Sequence, residues 1–355
     1  MAGRVTIQDI ADALGLSRNT VSKAINDTGT LAPSTREKVL KKAVEMGYKQ
    51  FSYMNTPNFN SNLTTSVTQK AGGEIALLTC AKLDYSHFSA TMLDKFQKEI
   101  SQLGYSLTMH RVTSNDIKKL RLPNSFRRES TDGIMCIEMF NYEYSQMVTS
   151  LNIPTLFVDS PVLDGRPLNS DRLSMDNRTE IFAFVREMKK RGKTKIAFVG
   201  KCDHCESFFE RYIAYREAMY LNKLDIPEEA CIVDGPSTQE DAVVDSYRSY
   251  ILRRLDNLKE MPEVFICAND FVAIDIIQAF RQLNISVPDD VMICGFDDSP
   301  ESRILTPPLT TIHIHCEILG LSAVQMLFSR IKEPSLNYRT IYTETNLVYR
   351  QSTND

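Results

Sequence analysis

The chain has 355 residues, of which 43% are hydrophobic and 24% charged, and its formal net charge is −4. The length exceeds one ordinary domain, and the composition excludes a wholly disordered, collagen-like or coiled-coil protein. No apolar run approaches the roughly 20 residues of a membrane-spanning helix. The amino terminus also lacks an apolar signal core, so the sequence predicts a cytoplasmic protein without a membrane partner.

The charge is unevenly distributed along the chain. Residues 1–50 contain eight Lys or Arg and five Asp or Glu, whereas residues 51–355 contain 33 and 40. The overall negative charge alone disfavours nucleic acid as a partner, because phosphate contacts need clustered cations. The uneven distribution instead predicts a small basic module followed by a large acidic body.

Three short helical patterns fill the first fifty residues, each preceded by a hydroxyl side chain that can cap a helix. Thr6 precedes the first pattern, which ends at Gly15, and Ser17 precedes the second. Ser34 and Glu37 have the spacing of a capping box before the third. The apolar residues of the three patterns form one shared face, and a short turn joins the first two, which predicts a helix-turn-helix module over residues 1–50.

The outward face of the second helix carries Arg18, Asn19, Ser22 and Lys23. In a helix-turn-helix this helix enters the major groove. Arg suits the acceptors of guanine, and Asn suits the edge of adenine. The alternative is an ordinary solvated helix face, and the basic charge and three-helix pattern favour DNA binding over it.

The remaining sequence alternates strands and helices. After an Asn-rich linker at 51–73, short apolar phrases such as EIALLT, IPTLFVD and EVFICAND alternate with amphipathic helical stretches. This alternation predicts two parallel-sheet lobes covered by helices. We expect the first lobe to comprise 74–161 and about 302–330, and the second 162–301 and about 331–355.

The sequence resembles the lactose-repressor (LacI/GalR) family. The phrases that carry the resemblance are VTIQDIA, SRNTVSKAIN and TREKV in the module, and CAND, GFDD and TPPLTTI in the body. The resemblance implies a helix-turn-helix headpiece followed by a core related to periplasmic sugar-binding proteins. It also implies a DNA-binding set in which Arg18, Asn19 and Lys23 read bases and the other members, apart from Thr20, contact phosphates. These other members are Thr6, Ser17, Thr20, Ser22 and Asn26.

In the core, the resemblance implies that Asp270 and Arg211 bind the effector and that Phe88 stacks on it. Asn269 lies beside Asp270, and both follow the strand EVFIC, at the end where open α/β sheets bind ligands. The alternative for Asp270 is a cap for the helix that follows. Asp159 ends the strand IPTLFVD and is either a cleft residue or a residue of the hinge between the lobes.

One departure from the family pattern concerns the linker. Family members often carry a hinge helix whose Leu wedges into the minor groove. Here Pro57 stands where that leucine is expected, and proline is poorly accommodated inside a helix. Insertion of this leucine is therefore not expected, although Met54, Phe59 or Leu63 could supply a wedge after a register shift. We hypothesise that the linker is disordered away from DNA.

Two clusters invite a metal or redox interpretation. Cys202, His204 and Cys205 form a ligand-rich phrase, but a single CxxC lacks the second pair of a structural zinc site, so we favour a plain loop. His313 and His315 lie on one face of a strand and are interpreted as structural. No cofactor or metal is predicted, and the sequence has no P-loop, nucleophile elbow or dinucleotide fingerprint.

The sequence therefore predicts a transcriptional regulator, a repressor by family default, that binds operator DNA as a homodimer under control of a small effector, most often a sugar. The alternatives are a sugar-binding receptor with a degenerate headpiece and an α/β enzyme. Export of a receptor requires a signal peptide, which the sequence lacks, and an enzyme requires catalytic groups that no motif supplies. The last residues contain no leucine heptads, so dimers are expected rather than tetramers.

Overall fold

The computed structural model describes residues 5–25, 31–46, 48, 73–80, 87–235 and 247–353. The chain divides into two compact units, Met1–Gly72 and Gly73–Asp355. The linker predicted at 51–73, including Pro57, lies outside the described residues except for Gly73. The predictions about a hinge helix therefore stay predictions.

The first unit contains three helices: α1 (Ile7–Leu14), α2 (Arg18–Ile25) and α3 (Pro33–Glu45). The predicted caps of the first two are present. The Thr6 hydroxyl accepts a hydrogen bond from the Asp9 amide at 3.3 Å, and the Ser17 hydroxyl accepts one from the Thr20 amide at 3.0 Å. Gly15 ends α1 at φ 64°, in the left-handed region that glycine adopts without steric cost.

The start of α3 differs from the prediction. The helix begins at Pro33, so Ser34 lies inside its first turn and does not precede it. Proline suits this position because its fixed φ is helical and the first amide of a helix has no intrahelical partner. The three helices pack through a small apolar core whose fully or nearly fully buried side chains are Ile10, Ala11, Val21, Ala24, Ile25, Val39 and Ala43.

The second unit contains the predicted parallel sheets, which confirms the predicted fold class. A six-stranded sheet has the strand order β10-β5-β4-β3-β1-β2, and its pairs are parallel. Its strands are β1 (Gly73–Thr79), β2 (Tyr105–Arg111), β3 (Thr131–Ile137), β4 (Thr155–Val158), β5 (Asp171–Met175) and β10 (Thr340–Thr343).

A second, three-stranded parallel sheet has the order β6-β7-β8, with strands β6 (Ile196–Val199), β7 (Val264–Cys267) and β8 (Met292–Cys294). Strands β9 (Thr311–Ile314) and β11 (Thr345–Val348) form an antiparallel pair beside it. Single bridges join Cys294 to Thr310 and Asp297 to His313. The pair therefore continues the second lobe.

Helices separate most consecutive strands along the chain, as expected for parallel sheets, but a loop joins β4 to β5 and β10 leads directly into β11. The helix Cys316–Lys332, here α12, packs against the helix His87–Gln102, here α4, and against strands β3, β4 and β5 of the first sheet. No helix among the described residues has both the length and the apolar character needed to span a bilayer. The helices of this unit are α4 (His87–Gln102), α5 (Ser114–Lys119), α6 (Tyr142–Thr149), α7 (Thr179–Lys190), α8 (Glu206–Leu221), α9 (Tyr247–Asp256), α10 (Asp270–Gln282), α11 (Pro300–Ile304) and α12 (Cys316–Lys332).

The lobe boundaries differ from those expected. Strands β5 and β10 lie in ranges assigned to the second lobe, 162–301 and 331–355, yet both belong to the first sheet. Strand β9 lies in the range 302–330 assigned to the first lobe, yet it pairs with β11 in the second. The chain thus crosses between the lobes after β5, between β9 and α12, and between β10 and β11. The physical reason is that strand pairing, rather than proximity in sequence, decides lobe membership.

Candidate functional site

Helix α2 has a polar, exposed side and an apolar, buried side. Arg18, Asn19 and Lys23 are exposed, and Thr20 and Ser22 are half-buried. Val21, Ala24 and Ile25 on the opposite side of the same helix are at most 3% exposed. The side chains that were predicted to read bases are therefore those that packing leaves accessible.

Two predicted phosphate contacts take part in helix caps. The Thr6 hydroxyl donates to the Asp9 carboxylate at 2.7 Å, and the Ser17 hydroxyl lies 2.8 Å from that of Thr20. Hydrogen bonds from Thr6 lower the pKa of Asp9 from its ordinary value. Asn26 lies outside the described residues.

A cavity of about 160 Å³ opens between the two lobes of the second unit. It lies at the carboxyl ends of the strands, where open α/β sheets bind ligands. The first lobe contributes residues that follow β3 and β4, and the second contributes residues of α8, the start of α10 and the loop after β8. The lining residues are Glu138, Phe140, Asp159, Met175, His204, Cys205, Ser207, Phe208, Arg211, Asn269, Phe271, Asp297 and Ser299.

Arg211 lies on α8 at the base of the cavity and is 2% exposed. Its Nη1 donates to the carbonyl of Ala268 at 2.6 Å, and its Nε donates to Oδ1 of Asn177 at 2.9 Å. The guanidinium lies 3.5 Å from the centroid of the Phe296 ring and 3.6 Å from Oδ1 of Asp297. Burial is tolerated because protein groups on several sides compensate the positive charge.

Asp159 enters the cavity wall from the end of β4. Its Oδ1 accepts hydrogen bonds from the amides of Ser160 and Ser207, at 2.8 and 3.2 Å. Its Oδ2 accepts one from the Ser207 hydroxyl at 2.6 Å. Because Asp159 belongs to the first lobe and Ser207 to α8 of the second, this carboxylate both lines the cavity and joins the lobes.

The structure places Asn269 and Asp270 differently. Asn269 lines the cavity and caps α10, since its Oδ1 accepts from the Val272 amide at 2.9 Å. Asp270 is fully buried and does not line the cavity; its carboxylate accepts from the Ser299 amide at 2.7 Å and the Thr311 hydroxyl at 2.6 Å. A Cβ on Gly295 would overlap that carboxylate, so the space around it is filled. The geometry supports a role for Asp270 in positioning the loop that carries Ser299 rather than in contacting a ligand.

Burial and the charge of Asp297 raise the pKa of Asp270 to about 8. The pKa in an unfolded chain is about 3.9. Between these values the folded protein binds a proton that the unfolded chain has released, so the free energy of unfolding should fall as the pH rises from about 4 to 8. We expect Asp270→Asn to flatten this dependence in urea titrations at several pH values. The control is Asp256→Asn, at an exposed position, whose free energy of unfolding should depend on pH as in the wild type. The same pH dependence in all three proteins would contradict the raised pKa of Asp270.

His204 and Cys205, from the phrase that begins at Cys202, line the cavity. The ring of His204 lies 5.0 Å from that of Phe140 and 5.2 Å from that of Phe208, and burial lowers the pKa of His204. Burial also raises the pKa of the Cys205 thiol, which disfavours a reactive thiolate. Among the residues that the structure describes, no group of three or more His, Cys, Asp or Glu side chains is arranged to hold a metal.

His313 and His315 have structural surroundings. Nδ1 of His313 lies 3.0 Å from Oδ2 of Asp298, and Nε2 of His315 lies 2.7 Å from Oδ1 of Asn346. Arg350 also bonds Asp298, at 2.5 Å. Burial opposes ionisation of Asp298, but the bonds from His313 and Arg350 lower its pKa to about 2. The histidines thus take part in packing β9 against neighbouring elements.

The cavity therefore brings together three of the predicted effector residues: Asp159, Arg211 and Asn269. Asp270 lies in the wall behind them, and the side chain of Phe88, at the start of α4, is outside what the structure describes. Glu138 and Asp297 were missed. Glu138 follows an apolar strand in the phrase DGIMCIEM, and Asp297 follows one in VMICGFDD. The rule that ligands bind at the carboxyl ends of strands, which pointed to Asp159, could therefore have found both.

Two family models match different parts of this chain. A model of the bacterial regulatory proteins of the lacI family matches residues 6–50, and a model of the periplasmic binding protein-like domain matches residues 185–353. The HTH-type transcriptional repressor PurR of Histophilus somni (strain 2336) is 28% identical over 98% of each chain.

Two solved structures share the fold over nearly the whole chain. A transcriptional regulator CelR-cellobiose complex has a TM-score of 0.66 at 22% identity and covers 98% of this chain and 100% of its own. The lac repressor dimer bound to operator and the anti-inducer ONPF has a TM-score of 0.63 at 19% identity and covers 99% of both. The fold of this chain thus occurs over nearly its whole length in both of these proteins.

Proposed function

Because the chain belongs to the LacI family and is a DNA-binding transcriptional repressor with an effector-binding domain, we propose that it binds its operator as a homodimer and releases or captures it in response to a sugar or sugar derivative. The members of this family are transcriptional regulators rather than enzymes. We place its activity in the cytoplasm, where a bacterial operator is accessible. The effector would occupy the cavity between the lobes.

The observation that carries the DNA-binding proposal is the outer face of α2. Arg18, Asn19 and Lys23 stay exposed on a helix whose other side is fully packed, in a module with net positive charge. In a helix-turn-helix, this face lies against base edges in the major groove. Two headpieces of a dimer would read two half-sites about one helical turn apart, or a multiple of it.

Arg18→Ala and Lys23→Ala should each weaken operator binding by about 1–3 kcal/mol, because each removes a group that reads a base edge. The operator is first obtained by selecting DNA from a random pool with the purified protein, and affinities are then measured by fluorescence anisotropy at fixed salt. Lys119→Ala removes an exposed lysine of the core and serves as a control that should bind like wild type. Normal operator binding by both α2 variants would refute the assignment of the recognition helix.

The small-molecule proposal is supported by the position and lining of the cavity. Carboxylate, amide and hydroxyl groups beside aromatic rings are the usual partners of sugar hydroxyls and ring faces. A purine is a second candidate, because the name of the PurR relatives points to one. Thermal stabilisation by sugars and by purine bases, measured side by side, distinguishes the two.

The homodimer proposal is supported by the lac repressor dimer whose fold this chain shares. Light scattering on the purified full chain should give about twice the mass of the 40.4 kDa polypeptide. A monomer at micromolar concentration would overturn the proposal, and a tetramer would contradict the expectation drawn from the absence of leucine heptads.

A further inference from the structure

Carboxylates from both lobes converge on the cavity. Glu138 follows β3 and Asp159 follows β4 in the first lobe, whereas Asp297 follows β8 in the second. All three line the same cavity. Burial raises the pKa of Asp297 to about 7; the nearby Arg211 opposes this, and the charges of Asp159 and Glu138 add to it. The cavity therefore brings negative charge from both lobes to one site.

The positive charge in the lining is already compensated. Arg211 is the one Lys or Arg among the described residues that line the cavity. Its Nη1 and Nε donate to Ala268 and Asn177, its face lies on the Phe296 ring, and Asp297 lies 3.6 Å away. Asp297 offsets part of the guanidinium charge, and a phosphate or carboxylate ligand that approached Arg211 would also approach three carboxylates. Electrostatics thus disfavours an anionic effector.

The cavity walls suit a cation that also has apolar faces. Phe140, Phe208 and Phe271 contribute rings from both lobes. An aromatic face attracts an ammonium group and also packs against the carbon faces of a sugar ring. Within the described part of the chain the carboxylates are not arranged to hold a metal ion, so an organic cation is the positive charge that this geometry accommodates.

We propose that the effector is a hydroxylated primary amine, such as an amino sugar, whose ammonium group binds among Glu138, Asp159 and Asp297. This inference rests on the proposed function and specifies the chemical class of the effector. An ammonium group there would attract carboxylates of both lobes and so stabilise the arrangement in which they are close. That preference for one lobe arrangement is what an effector needs in order to change DNA affinity.

The test uses matched sugars and the full-length protein. For glucose, galactose and mannose, the free sugar, the 2-amino sugar and the 6-phosphate are each tested by thermal stabilisation and then by calorimetric titration. We expect at least one amino sugar to stabilise the protein, with an affinity about tenfold or more above that of its neutral parent, and the phosphates to bind weakest. A neutral or phosphorylated sugar as the best ligand, or no stabilisation by any amino sugar, overturns the inference.

Variants locate the ammonium site. Glu138→Gln should weaken binding of the best amino sugar by about tenfold and change that of its neutral parent much less, because only the former loses a charge-assisted hydrogen bond. Glu129→Gln, at an exposed position of the first lobe, is the matched control and should bind like wild type. Equal affinities of Glu138→Gln and wild type for the amino sugar would overturn the site.

Failure of the inference and failure of the proposed function have different readouts. If the protein selects a specific operator but no amino sugar binds, only the charge class of the effector is wrong. If the protein selects no DNA sequence, the repressor assignment is wrong, whatever the cavity binds.

Discussion

Asp171→Asn is expected to lower the free energy of unfolding by about 3–5 kcal/mol, because it removes the negative partner of a buried ion cluster. Asp171 is fully buried at the start of β5. It accepts hydrogen bonds from Nη2 of Arg330 and Nη2 of Arg339, both at 3.0 Å, and from the Arg339 amide at 2.8 Å. Asparagine has nearly the same shape but no charge, so the guanidinium of Arg330, in a residue only 4% exposed, would remain buried without its counter-ion.

The matched control is Glu228→Gln. Glu228 receives two bonds from Arg216, at 2.8 and 3.0 Å, in a comparable geometry but at the surface. Water screens such pairs, so this change should cost less than about 1 kcal/mol. Both losses of unfolding free energy are measured by urea denaturation, provided that the dependence of this free energy on urea concentration is the same in all three proteins. If both variants lost the same free energy of unfolding, burial would not strengthen the ion pairs of Asp171.

The difference in free energy of unfolding between the wild type and Asp171→Asn should depend on pH. Burial alone would raise the pKa of Asp171, but the bonds from Arg330 and Arg339 hold it below its ordinary value. A lowered pKa contributes stability above the unfolded value of about 3.9, and this contribution disappears as the pH falls through the folded value. The difference between wild type and Asp171→Asn should therefore narrow below about pH 4.

This cluster also explains why the lobe boundaries were not predictable. Strands β5 and β10 have the sequences DRLSM and TIYT, which lack the apolar runs that identified the other strands. They pair with each other at one edge of the first sheet. Asp171, Arg330 and Arg339 tie β5 to α12 and to the segment before β10. Polar strands stabilised by distant charges carry no local signal, because their partners are about 160 residues apart in the chain.

The headpiece was more predictable because its determinants are local. A cap acts within three residues, as for Thr6 with Asp9 and Ser17 with Thr20, and Gly15 ends α1 through its own backbone conformation. The fold class followed from the alternation of strand and helix patterns. The start of α3 was misplaced by the competition between two valid signals, a proline and a serine at adjacent positions.

The cavity was only partly predictable. The rule that ligands bind at the ends of parallel strands identified Asp159 and Asn269, and resemblance added Arg211. The same rule could not separate Asn269 from Asp270, because adjacent residues at a helix start point in different directions. Only the positions of Ser299 and Thr311, which come from distant loops, show that the second carboxylate faces inward.

Arg211→Met should have a comparably large effect, lowering the free energy of unfolding by about 3–5 kcal/mol at pH 8. The change leaves the Ala268 carbonyl and Asn177 without their donors and leaves Asp297 without its cation. Methionine fills similar space and preserves helix propensity, so the loss reflects charge and hydrogen bonds.

Arg211→Met should lower the free energy of unfolding less at pH 5 than at pH 8. The pKa of Asp297 is already raised to about 7 in the wild type, mainly by burial, and losing the guanidinium raises it further. At pH 5 the carboxyl group of the variant is protonated and no longer a buried unpaired charge. Arg216→Met, on the same helix but in the exposed pair with Glu228, should cost less than about 1 kcal/mol at both pH values. A pH-independent cost for Arg211→Met would mean that the guanidinium stabilises the lobe through Ala268 and Asn177 alone, and the electrostatic coupling between Arg211 and Asp297 would then have to be abandoned.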